Sequence, residues 1–296
     1  MSNFLFRVCG AFMFLLILNY GVNDGYHVNS KVTNEKMKKR ETNEQMERQQ
    51  PCYYPREGAS TIVVFIHGIV EGPDQFLGLM KRSSELGFAA SSLLLPGHGG
   101  TGEEFARSSR QQWLEYVNAE IARYKKNYNS IILVGHSMGS LLSFLTYMES
   151  PEQIIGIVAI DTPLYVRVKG RALRNNLKVG FCKEIPESDP AHALLEASSV
   201  APCSILTYLS WVPRMIDLFC LMKKTREVLP QVSIPTLVFH ADDDELVSAS
   251  SVKCFERTIP EKYLQLVHLK ESTHFFYGNA DWDLLYYTFS HFLQSC

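Results

Sequence analysis

Six short apolar runs recur along the chain, and they leave few folds open. They are Thr61 to Ile66 (TIVVFI), Phe88 to Leu95, Ile131 to Val134, Ile154 to Ile160, Thr236 to His240 and Tyr263 to Leu269. The runs read as continuously apolar rather than alternating. A strand with one face in water alternates; a strand covered on both faces by helices does not. Helical stretches lie between the runs, so strand and helix alternate through the body. That order predicts an α/β fold, a mostly parallel sheet with right-handed crossovers and helices on both faces.

Local signals place the helices. Asp74 is a candidate N-cap for a helix reaching about Leu86, with Gly87 as its stop. Ser109 and Gln112 have capping-box spacing for a helix reaching about Tyr124. A helix is expected from Ser137 to Met148, closed by Pro151, and a last one from about Ala280 to Gln294. Residues from about 162 to 230 break the alternation with amphipathic pieces such as HALLEASS and RMIDLFCLMKKTREVL. They are expected to form a helical insertion at the carboxyl edge of the sheet, the edge where open α/β sheets bind ligands, and there to act as a lid.

The ends of the chain differ from its body. Val8 to Tyr20 is apolar apart from Asn19, about the length of a signal-peptide core. Lys31, Lys36, Lys38, Lys39 and Arg40 follow it, and only Arg7 precedes it. That charge distribution favours an N-terminal anchor with the body on the cytoplasmic side, the rival being a cleaved export signal. The expected organisation is an anchor or signal at 1–25, a polar linker at 26–55, and one domain at 56–296.

Composition removes several function classes. A net charge of −2 gives no basic footprint for nucleic acid. Seven scattered cysteines show no metal-ligand spacing and read as free thiols in a reduced compartment. The acidic run HADDDELV lacks the alternation and central glycine of a calcium loop.

One junction carries chemistry. Gly135-His136-Ser137-Met138-Gly139 joins an apolar strand to a helix. G-x-S-x-G is weak as a string, but a strand before it and a helix after it are the setting of a nucleophile elbow. The flanking glycines then have a mechanical reason, because side chains there would strike neighbouring backbone. A serine hydroxyl needs a base, and the base needs an orienting acid. Of nine histidines, His274 in ESTHFF follows the last strand and precedes the last helix, where a loop can carry it over Ser137. His67, His98 and His136 lie in glycine turns and are expected to hold backbone. The acid is expected after the fifth run, where Asp242, Asp243, Asp244 and Glu245 all stand; Asp161, after the fourth run, is a second position.

These motifs together resemble the α/β-hydrolase superfamily, most closely its compact carboxylesterase and monoacylglycerol lipase branch. The resemblance covers about Thr61 to Leu293. His67-Gly68 is similar to the family's HG turn, PGHGG to the turn after the next strand, LVFHADDDELVSASS to the acid loop and STHFF to the histidine loop. On that pattern Asp244 matches the acid, and the amides of Ile69 and Met138 match the oxyanion hole. The resemblance implies ester hydrolysis through Ser137, His274 and Asp244, on a small-molecule acyl ester such as a monoacylglycerol, with no metal or organic cofactor. An apolar lid and anchor suit a substrate drawn from a membrane surface. Thioesters and carbon–carbon bonds remain open as substrates on this scaffold. A ligand-binding member of the fold without turnover is the reading from another class; a complete Ser, Asp and His set speaks against it. The room before Thr61 suggests a small sheet without an opening strand pair.

Overall fold

The two faces of β2 (Thr61–Ile66) explain its composition. Ile62, Val64 and Ile66 pack into one core and Val63 and Phe65 into another, so every position from Ile62 on is buried. The same division runs through β4 (Ser130–His136), with Ile131 and Leu133 on one side and Ile132 and Val134 on the other. These features come from a computed structural model that describes residues 49–182 and 184–296. The N-terminal apolar segment and most of the polar linker lie outside the described residues.

The sheet has seven strands in the order β1-β3-β2-β4-β5-β6-β7. Beyond β2 and β4 these are β1 (Cys52–Tyr54), β3 (Ala89–Ser92), β5 (Ile154–Ile160), β6 (Thr236–Ala241) and β7 (Leu264–Leu269). All neighbours pair in parallel except β1, which runs antiparallel to β3. β1 leaves no mark in the residue pattern: three residues are too short to show a period, and an edge strand needs few apolar positions. The chain before Thr61 therefore does supply one opening strand. The last run also departs from expectation. β7 is the opposite edge, and its Gln265 and His268 face solvent, so it is only partly covered.

Helix α1 (Leu77–Glu85) and α10 (Asn279–Ser295) cover one face, contributing Leu79, Met80, Leu285, Phe289 and Leu293. α3 (Arg110–Tyr124), α4 (Met138–Glu149) and α9 (Ser250–Thr258) cover the other, with Trp113, Val117, Leu141, Phe144 and Phe255. Asp74 does not cap α1: it sits inside a 3₁₀ turn, Pro73–Phe76, that feeds the helix. Ser109 caps α3 by accepting from the Gln112 amide. The two-way capping box instead opens the short α2 (Gly102–Arg107), between Thr101 and Glu104. The six cysteines among the described residues are all free thiols.

Four helices stand between β5 and β6: α5 (Gly170–Phe181), α6 (Ala191–Ala197), α7 (Ile205–Ser210) and α8 (Val212–Val228). They are tied to the body. Asp217 of α8 bonds Arg110 at 2.7 Å, and isolated bridges pair Glu71 with Ser198 and Val166 with Val247. Residues 205–231 form a helical stretch long and apolar enough to cross a membrane. Trp211, Val212, Met215, Leu218 and Phe219 from that stretch line an internal cavity, which accounts for much of its apolar character.

Phe144 is fully buried, its ring 5.7 Å from that of Phe255. Phe144→Ala should cost about 3–5 kcal/mol, read as a lower urea midpoint at unchanged slope.

Candidate active site

β4 ends at His136 and α4 begins at Met138, leaving one residue to turn the chain. Ser137 makes that turn at φ 52° and ψ −120°, a conformation a non-glycine residue holds only under constraint. Its amide donates to the Ile160 carbonyl at 2.9 Å, so β5 fixes the corner. The two glycines have the mechanical reason their positions suggested. A Cβ on Gly135 would lie 2.3 Å from the Ser140 nitrogen, and one on Gly139 only 1.8 Å from the Ile66 carbonyl oxygen. α4 can therefore pack its first turn onto the end of β2.

Ser137 and His274 line the same cavity, of about 190 Å³, together with Ile69 and Phe275. The loop after β7 delivers His274, which is buried, and its Nδ1 lies 2.7 Å from Asp244 Oδ2. Asp244 accepts at its other oxygen from the amides of Leu246 at 2.6 Å and Val247 at 2.7 Å. The other acidic residues of the loop have other partners. Asp242 is 2.5 Å from His268 Nδ1, while the exposed Asp243 pairs with Lys169 and Arg171. Glu245 accepts from the His274 amide at 3.2 Å. Of these four acidic residues, Asp244 is the one hydrogen-bonded to the His274 ring.

Burial disfavours charge on both members of this pair, yet each stabilises the other's ionised form. Burial alone would lower His274, but the Asp244 carboxylate raises it above the ordinary imidazole value. Burial alone would raise Asp244, but His274 and the two amides hold it below the ordinary carboxyl value. Asp161 is the second acid of the neighbourhood. It accepts from the Ala241 amide at 2.7 Å and from the Tyr277 hydroxyl at 3.1 Å. Burial, and then the Asp244 charge, push its carboxyl up to about 7.

The turn after β2 forms the facing wall. His67 and His98 hold backbone, as expected: their Nε2 atoms accept from the amides of Leu95 and Val70. Ile69 reaches the cavity, and Met138 opens α4, where an amide has no carbonyl one turn earlier. His136 holds backbone too, and it also meets a buried carboxylate. Its Nδ1 lies 2.8 Å from Glu71 Oε2, and its Nε2 lies 3.1 Å from the His274 carbonyl oxygen. Glu71 is buried and was not singled out by sequence. The available signal was a carboxylate three residues after Gly68, the spacing at which a side chain reaches back to a turn amide. Two buried sets, Glu71 with His136 and His274, and Asp161 with Asp244 and His274, bring ligand-type atoms within 4.8 Å. Each carboxylate of these sets already accepts hydrogen bonds: Glu71 from Gly68 and Gln75, Asp161 from Ala241 and Tyr277, and Asp244 from Leu246 and Val247.

A family model described as serine aminopeptidase, S33, matches residues 57–189. The thermostable monoacylglycerol lipase of Bacillus sp. (strain H-257) is 21% identical over 217 residues, 72% of this chain and 82% of the relative. Among solved structures, one of two metagenome-derived lipolytic enzymes superposes with a TM-score of 0.64 at 21% identity, covering 83% of this chain and 98% of that one. The monoacylglycerol lipase of Paleococcus ferrophilus gives 0.62 at 16% identity, with 83% and 98% covered. The chain has the fold of these lipolytic enzymes, and its residues 57–189 match the serine aminopeptidase model.

The tight corner can be tested directly. Gly139→Ala should lower the thermal midpoint by roughly 5–10 °C or abolish the cooperative transition, as overpacking against backbone does. Gly170→Ala, where a Cβ would meet nothing within 4 Å, should leave the midpoint unchanged.

Proposed function

We propose that this protein is a hydrolase that cleaves carboxylic esters of apolar acyl groups, monoacylglycerols or medium-chain esters, with Ser137 as nucleophile, His274 as base and Asp244 as orienting acid. The observation that carries the reading is the cavity. Ser137 and His274 stand on its wall, and most of the remaining lining is apolar, including Val166, Val168, Leu194, Trp211, Met215 and Phe219. A saturated acyl chain gains by leaving water for such a lining.

The chemistry follows from the hydrogen bonds. Asp244 occupies His274 Nδ1, which leaves Nε2 to take the Ser137 proton as Oγ attacks the ester carbonyl. The amides of Ile69 and Met138 stabilise the oxyanion. The imidazolium then protonates the departing alcohol, and water frees the acid by the same steps in reverse roles. Helices α5–α8 serve as the lid, and the N-terminal apolar segment holds the domain near the membrane from which a lipid ester would be drawn.

An aminopeptidase needs a carboxylate for the free amino group of its substrate. Glu71 is the one acidic side chain among the residues lining this cavity, and it is already engaged by Gly68, Gln75 and His136. An ester with an apolar acyl group fits the lining better.

Ser137→Ala should lose labelling by a fluorophosphonate and all hydrolysis of nitrophenyl and monoacylglycerol esters while keeping the unaltered thermal midpoint; retained turnover rejects the reading. Asp244→Asn should lower kcat about 10⁴-fold, because the His274 tautomer is no longer fixed. Asp244 also holds the His274 ring above its ordinary value against the lowering effect of burial. Removing that charge should therefore move the acid limb of the kcat/KM profile to lower pH. An unmoved limb would separate Asp244 from His274.

A further inference from the structure

Three donors converge on one carboxylate oxygen beneath the site. Glu71 Oε2 accepts from the Gly68 amide at 2.6 Å and from Gln75 Nε2 at 2.9 Å, and it lies 2.8 Å from His136 Nδ1. The opposite nitrogen of the same ring lies 3.1 Å from the carbonyl oxygen of His274. A carbonyl only accepts, so His136 Nε2 carries a proton. The ring thus bridges the Glu71 carboxylate and the His274 main chain. Burial would raise the Glu71 carboxyl, but His136, with His274 and Gln75, brings it below its ordinary value.

We propose that Glu71 and His136 are positioning residues that lock the Gly68 turn to the main chain of His274, so that the oxyanion amides and the base keep one separation. This inference rests on the triad reading above. Gly68 is the residue before Ile69, whose amide faces the oxyanion in that reading. His136 is the residue before Ser137. The chain Gly68–Glu71–His136–His274 therefore joins the turn after β2, the corner after β4 and the loop after β7 through three contacts, all buried.

The link depends on one oxygen. In Glu71→Gln an amide replaces the carboxylate with little change of shape. An amide oxygen accepts more weakly than a carboxylate, so the three donors on that atom are held less firmly. The tie from the Gly68 turn through His136 to the His274 carbonyl loosens with them. His136→Gln breaks the chain from the other side, since it can reach the His274 carbonyl but leaves the buried Glu71 carboxylate without its imidazole partner.

The test counts labelled sites and turnover together. Fluorophosphonate is used to titrate the full chain, and kcat and KM for a nitrophenyl ester are expressed per labelled site. Each single variant should reach one label per chain, more slowly than the unaltered protein. Its kcat should fall about a hundredfold, the scale of a misplacement of about 1 Å, with KM changed less than about threefold. The double variant should lose no more than the worse single one, because the two residues act as one unit. A kcat per labelled site within about threefold of the unaltered protein, or single losses that multiply in the double variant, would overturn the proposal. So would failure of both single variants to reach one label per chain, which would mark the pair as needed only for folding. Absence of labelling in the unaltered protein would refute the Ser137 reading, and this inference with it.

Discussion

The contact between the first turn of α4 and the end of β2 governs the rest of the structure. Gly139 lies so near the Ile66 carbonyl that only a hydrogen fits between them. That approach lets the chain reverse from β4 into α4 in one residue, and it places Ser137 at positive φ at the carboxyl edge of the sheet. β2 and β4 are in register as neighbours, Ile66 opposite Gly135, so the contact joins elements already bonded along their length. The strain at Ser137 is held by a core that includes both strands and α4. A corner on a poorly packed edge would relax.

Around this corner the structure buries charge, and it does so in partnered groups. Asp244 has His274 and two amides; Glu71 has His136, Gln75 and an amide; Asp161 has an amide and a hydroxyl. An isolated buried ion would unfold a domain of ordinary stability, whereas one with full hydrogen bonding is tolerated and strongly oriented. The orientation is what a site of this kind requires. It also makes the residues interdependent: the loop after β7 is held through its side chain by Asp244, through its amide by Glu245 and through its carbonyl by His136.

The helices between β5 and β6 add the apolar component. They are anchored at many polar points, among them Asp217 to Arg110, Arg214 to the Ala106 carbonyl, Trp211 to the Gly102 carbonyl, Arg171 to Asp243 and Ser199 to the Glu71 carbonyl. Their inward faces leave a cavity instead of closing on the sheet. The lining they contribute, Leu194, Trp211, Met215 and Phe219, makes the cavity beside Ser137 apolar.

The sequence by itself determined the layers, the corner and the order of the key residues. Apolar runs such as TIVVFI and IIGIVAI report burial on both faces, because no exposed position interrupts them. Gly135 and Gly139 report a tight turn, because little else fits there. β1 carries no such mark, since three residues at an edge show no periodicity, and the apolar run of β7 suggests more burial than its edge position allows. Among Asp242, Asp243 and Asp244 the residues alone left the choice open, although the family pattern pointed to Asp244. The structure shows which carboxylate meets the imidazole: successive side chains in a turn point in different directions, one to His268, one to solvent and basic side chains, one to His274. Only the tertiary structure decided the role of Glu71 and His136. They stand 65 positions apart, and no local rule of spacing links a turn after one strand to the end of another. Sheet pairing brings them together, and a buried carboxylate and imidazole that meet in low dielectric bond strongly or not at all.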